Sequence, residues 1–275
     1  KWNFRNLTLM NNNTLTLRTA FVVVIASILS ALLVGWLVMG IGLATTETPT
    51  KFYTFLSVII GQGFMLVPLL GFLKLRNEPI IKRLRLNPVS KNIALCAASL
   101  ALGLTVLSDE LDRVIQIVIP QPDYILDLNI TLQPESTIGF ILLFLAIVII
   151  APVGEELLFR GFLQQFLEQH WKDVTRAILV TSLFFAIIHM NSYWLIQIYI
   201  LGIFLGYLSW RTGSVIPSLI LHAINNGTAL IFSFTELNLD NIYLWHDHVA
   251  PWIIILSIGL FTYGFKGINL TAGQK

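Results

Sequence analysis

Charge is in short supply in this 275-residue chain: Asp, Glu, Lys and Arg together make up 12% of it. A typical soluble domain carries about 25%. So few charges cannot clothe a water-exposed surface, which excludes a soluble enzyme and a disordered regulator. The net charge is only +2, which excludes a nucleic-acid binder, whose surface must be strongly basic. The one cysteine, Cys96, sits in an apolar run, so neither a disulfide framework nor a thiolate metal cluster is available. Internal repeats and low-complexity tracts are absent too. Apolar residues are what the chain has in plenty, at 56%, with a mean hydropathy of +0.78. This is an integral membrane protein, with the lipid bilayer as its first partner and no nucleic acid.

About 20 apolar residues of helix are needed to cross ~30 Å of hydrocarbon. Eight stretches qualify as candidates: Thr19–Ala44, Phe52–Leu73, Asn92–Ser108, Ile138–Val153, Ala177–Met190, Tyr193–Trp210, Ser214–Phe234 and Ala250–Phe265. The first is too long for a signal-peptide core and is expected to be retained. With the N-terminus in the cytoplasm, the basic residues fall fifteen inside, against Lys51 and Arg113 outside. The expected fold is therefore an all-α bundle of eight transmembrane helices, N-in and C-in. It divides into a three-span region with an outer loop (1–137), a core of spans four to seven (138–234), and a last loop and span (235–275). The basic segment Lys82–Lys91 reads as a solvated stretch lying on anionic lipid. The outer loop Asp109–Thr137 reads as a short interfacial helix broken at Pro120-Gln121-Pro122. His246 and His248, beside Asp247, read as solvated.

Ionisable residues inside hydrocarbon cost about 2.5–3.5 kcal/mol each on insertion scales, so each one is a functional candidate. The fourth span runs into Glu155, Glu156 and Arg160; the fifth ends at Phe185 and His189; the seventh carries His222 and Asn226. Glu156 and Arg160 are four apart and share a helix face, as do His222 and Asn226. Glu155 lies about 100° around the helix from Glu156 and must find another partner. Pro152 and Gly154 suggest a kink or a close helix approach. Gly161–Gln169 continues at helical spacing. If the fourth helix runs on to Gln169, the acids sit about 20 Å deep, level with His189. Arg160 is then buried and must pair.

Glu155-Glu156-x-x-x-Arg160, Phe185-x-x-x-His189 and His222-x-x-x-Asn226, in that order on successive spans, resemble the CPBP family. That family comprises the type II CAAX prenyl endopeptidases and the bacterial bacteriocin-processing or self-immunity (Abi) proteins. The resemblance covers about a third of the chain, roughly 138–234, and every signature position is filled. It implies an intramembrane endopeptidase acting on a membrane-associated or peptide substrate, in which Glu155 and His189 hold and activate the attacking water. His222 and Asn226 would then stabilise the oxyanion, while Glu156 and Arg160, with Phe185, support the site.

A metal stays open at this stage. Zinc on Glu155, His189 and His222 fits the donor types, but the His-Glu-x-x-His spacing of zinc proteases is missing. A glutamate mechanism without a cofactor is favoured. Two other readings share these residues: a non-proteolytic scaffold or immunity factor of the same fold, and a proton-coupled transporter. The basic-residue count places the chain in a bacterial plasma membrane, or an organelle membrane, with its site reached from the cytoplasm.

Overall fold

The computed structural model describes residues 15–45, 51–234 and 240–272. Lys1, Arg5 and Lys275, which entered the basic-residue count above, lie outside the described residues. Among the described residues the chain is nearly all helix: α1 (Leu17–Thr45), α2 (Lys51–Leu75), α3 (Ile80–Arg83), α4 (Lys91–Val118), α5 (Asp123–Leu132), α6 (Thr137–Trp171), α7 (Val174–Ile188), α8 (Leu195–Thr212), α9 (Ile216–Phe234), α10 (Asp240–Tyr243) and α11 (Pro251–Ala272). One two-residue β-ribbon, Leu244–Trp245 with His248–Val249, precedes α11.

Short polar residues set the boundaries. The hydroxyls of Ser90 and Ser136 and the carboxylate of Asp173 accept from backbone N–H groups three residues on, which starts α4, α6 and α7. Gly213, at φ +64°, closes α8 in the left-handed region that glycine enters without strain. Helices α1 and α2 pack as one antiparallel pair and α4 with α11 as another. In the second pair a Cβ on Gly103 or Gly264 would overlap the facing backbone, so these glycines set how closely the helices approach. Large apolar side chains such as Trp36, Leu75, Val118 and Ile255 point outward, as a lipid-facing surface requires.

Among the described residues six helices are long and apolar enough to cross a bilayer: α1, α2, α4, α6, α8 and α11. The expectation of eight is met only in part. Helix α7 has 15 residues, about 22 Å of rise, and α9 is diluted by His222, Asn225 and Asn226. Both exceptions belong to the candidate site. Helix α4 runs ten residues beyond the expected end of the third span, so the outer loop shrinks; the break at Pro120 and Pro122 holds, and α5 follows it. The expected single crossing from Ile138 continues unbroken to Trp171, 35 residues in all.

The basic segment is not simply solvated. Arg85 is buried, forms a two-pronged ion pair with Glu168 on α6, and offers its carbonyl to the Val215 N–H at the start of α9. Asn87 and Ser214 join the same end, and Arg211 bonds Asn269. At the opposite end Lys51 meets Glu135, Arg113 meets Asp109, and Asp112 accepts from Gln197. There His248 is partnered rather than solvated: its Nδ1 lies 2.8 Å from Glu110 Oε1.

Candidate active site

Helix α6 reaches the site by an irregular path. Two stretches of wide turns, Leu145–Ile150 and Leu157–Gln164, flank the regular stretch Ala151–Glu156 that holds Pro152, Gly154 and both glutamates. A wide turn holds one extra residue, so it rotates everything after it by about 100° relative to an unbroken helix. Gly154 lets this stretch lie against α2, where a Cβ would stand 3.3 Å from the Gln62 carbonyl oxygen.

Glu156 and Arg160 are both fully buried, with side-chain exposures of 0%. Arg160 Nη1 donates to Glu156 Oε1 at 2.9 Å and Nη2 to the Gly202 carbonyl at 3.3 Å, while the guanidinium lies 4.0 Å over the Phe185 ring. Buried charges need such partners, because an isolated one would cost several kcal/mol. One turn on, Gln164 Nε2 donates to the Gly206 carbonyl and to Glu168 Oε1, both at 2.9 Å. A polar ladder thus descends α6 from Glu156 to the Arg85–Glu168 pair.

His222 stands between the two glutamates. Its Nδ1 is 3.0 Å from Glu156 Oε1 and its Nε2 is 3.8 Å from Glu155 Oε2. His189 Nδ1 lies 2.6 Å from the Phe185 carbonyl, and its Nε2 lies 4.0 Å from that same Glu155 oxygen. A carbonyl can only accept, so His189 carries a proton on Nδ1. Glu156, bonded to Arg160 as a carboxylate, accepts from His222 Nδ1 in the same way. The Nε2 atoms of His189 and His222 both face Glu155 Oε2. These separations are too long for direct hydrogen bonds and within the span of a bridging water. Phe185 walls the space, its ring meeting both imidazoles at steep angles with centroids 4.7 and 5.7 Å away. The His189 side chain is 30% exposed, against 9% for Glu155 and 3% for His222.

Glu155, Glu156, Arg160, Phe185, His189 and His222 are brought together. Asn226 shares the His222 face of α9, but its bonds run elsewhere: Nδ2 donates to the Ile147 carbonyl at 3.0 Å and Oδ1 accepts from Asn225 at 3.4 Å. Glu155, His189 and His222 do not fit a metal in this arrangement. Ligand atoms around tetrahedral zinc stand about 3.4 Å apart, whereas Glu155 Oε2 is 4.0 and 3.8 Å from the two imidazole nitrogens. Among the described residues no group of three or more His, Cys, Asp or Glu is placed to hold an ion.

Several participants escaped the sequence reading. Gln164, Glu168 and Arg85 extend the ladder; the i, i+4 spacing of 156, 160, 164 and 168 was a usable signal for the first two. Beyond Asn225 lies a cavity of about 520 Å³ between α4, α8 and α9, lined by Thr105, Asp112, Gln197, Leu201 and Tyr243 among others. Burial and the adjacent Asp109 carboxylate push the Tyr243 phenol up from its ordinary pKa, and its hydroxyl donates to Asp109.

Residues 137–228, about a third of the chain, match the family model described as type II CAAX prenyl endopeptidase Rce1-like. This match supports the CPBP/CAAX protease family that the three motifs resemble, a family of peptidases embedded in membranes. The matched segment spans α6 to α9, the helices that build the site. Neither the curated proteins nor the solved structures contain a match to the chain.

Proposed function

We propose that the chain is an intramembrane endopeptidase in which Glu155 is the general base and a water between Glu155, His189 and His222 is the nucleophile. The observation that supports this most is the placement of one glutamate oxygen within a water's reach of two imidazole nitrogens from two other helices. The water's oxygen attacks the scissile carbonyl carbon as its proton passes to Glu155 Oε2. His189 Nε2 accepts the water's second hydrogen and fixes its direction of attack.

The tetrahedral oxyanion needs a donor, worth roughly 3–4 kcal/mol, and His222 Nε2 is suitably placed. His222 donates in its doubly protonated form, with Nδ1 held by Glu156 Oε1 at 3.0 Å. Collapse breaks the C–N bond, and Glu155 returns its proton to the leaving amine.

In this reading the helices make eight antiparallel crossings, N-in and C-in, in a bacterial plasma membrane. Polar bonds join the basic ends of α4, α6, α8, α9 and α11 to one another. His189 lies at the opposite, acidic end, beside the loop whose Asn191 Oδ1 lies 3.4 Å from the Tyr124 hydroxyl on α5. Arg160 and Gln164, both fully buried, lie between the glutamates and the basic end. We assign the entrance to the acidic end because the His189 side chain there is 30% exposed; the basic-residue count alone leads to access from the cytoplasm.

Comparing membrane peptidomes from cells with wild-type protein and with Glu155→Gln tests the function. Peptides released only by the wild type support it, and identical peptidomes would leave a binding role. Because the trio does not fit a metal, dialysis of the purified enzyme against a chelator is expected to leave the rate within about twofold. Loss of activity that zinc restores would overturn that part of the mechanism.

A further inference from the structure

We propose that Asn226 is a positioning residue that supplies α6 with the hydrogen bond Pro152 cannot make, and thereby holds the Glu155–Glu156 stretch against α9. The inference rests on the proteolytic reading only for its effect on rate.

In the first wide-turn stretch the Ala151 N–H donates to the Ala146 carbonyl, five residues back. The next bond in that pattern would join position 152 to the Ile147 carbonyl. Position 152 is a proline and has no N–H. The Ile147 carbonyl is thus left without a main-chain donor inside a membrane bundle, where an unsatisfied carbonyl costs several kcal/mol. Asn226 Nδ2 reaches across from α9 and fills the gap at 3.0 Å. The direction of the bond is forced, because a carbonyl oxygen only accepts and the carboxamide must present its NH₂ group.

Helix α9 therefore grips α6 twice. Asn226 holds the carbonyl before Pro152, and His222, one turn away, holds Glu156 after it. Between the two grips lies the short regular stretch Ala151–Glu156, set off on both sides by wide turns that can slip by a residue. A slip would swing Glu155 by about 100° away from the imidazoles. One of the two N–H bonds of Asn226 is committed to this task, so an oxyanion is not its first partner.

The test is a cycle of four purified proteins: wild type, Pro152→Ala, Asn226→Ala and the double variant. Each is measured for its thermal unfolding midpoint in detergent and for the rate at which wild-type-specific peptides are released from isolated membranes. Alanine at 152 restores an N–H. Asn226→Ala alone is expected to lower the midpoint by several degrees and the release rate at least tenfold. In the Pro152→Ala background its effect on each should fall to less than half.

Asn226→Asp, which has nearly the same shape but no N–H to give, should behave no better than Asn226→Ala. An equal cost of Asn226→Ala in both backgrounds, in midpoint and in rate, would overturn the proposal and return Asn226 to the oxyanion. If Glu155→Gln releases the same peptides as the wild type, the proteolytic reading fails instead, and the midpoints alone decide the role of Asn226.

Discussion

Arg160 shows how much one side chain carries in this bundle. It neutralises Glu156, bonds the Gly202 carbonyl and covers the face of Phe185, all without exposure to solvent. Removing it strands Glu156 in a low dielectric, so Arg160→Met is expected to destabilise the protein by about 3–5 kcal/mol. Thermal unfolding in detergent checks this. Arg160→Lys should not restore stability, because a compact ammonium cannot serve a carboxylate, a carbonyl and an aromatic face in one fixed geometry. His222 is the other pivotal residue. Its two nitrogens lie 3.0 Å from Glu156 and 3.8 Å from Glu155, so adjacent acids about 100° apart on one helix face a single side chain.

Among the elements, α6 and α8 approach closely enough for side chains of one to bond the backbone of the other, and glycines make this contact. A Cβ on Gly206 would stand 2.7 Å from Gln164 Oε1 and 3.0 Å from Ile178. Gly206→Ala is therefore expected to cost about 1–3 kcal/mol through overpacking. Gly213→Ala meets open space and only the strain of φ +64°, so its cost should be lower, near 1 kcal/mol. Unfolding midpoints of the two variants distinguish these causes, and equal losses would deny the packing role of Gly206.

Much of α6 was legible in the sequence. The apolar spacing of Gly161–Gln169 implied that the helix continues past Arg160, and Pro152 marked the irregularity. The wide turns were not legible, since adding a residue to a turn changes geometry without leaving a pattern of its own. The partner of Asn226 was hidden for a related reason: it is a backbone carbonyl, which carries no side-chain signature. Arg85 also looked like its neighbours, one charge in a basic run, until the fold brought it to Glu168.

For the molecule as a whole, hydropathy alone does not count the crossings. The two helices that fail on length or polarity are α7, which ends just before His189, and α9, which carries His222. A helix that holds imidazoles within a bilayer cannot also be uniformly apolar, so the shortfall falls at the candidate site. The arrangement is testable by labelling cells with a membrane-impermeant maleimide in a Cys96→Ala background. Asp247→Cys is expected to react from outside and Lys266→Cys only after the membrane is opened. The same side for both would refute the N-in, C-in bundle.

The most direct measurement is a kinetic cycle of Glu155→Gln, His189→Gln and the double variant, all in the purified protein and followed by release of wild-type-specific peptides. If both residues act on one water, each single substitution should cost about 10³-fold or more, and the double variant little beyond either. Unfolding midpoints should stay near the wild-type value. Single losses of only a few-fold, or losses that multiply in the double variant, would contradict a shared nucleophile.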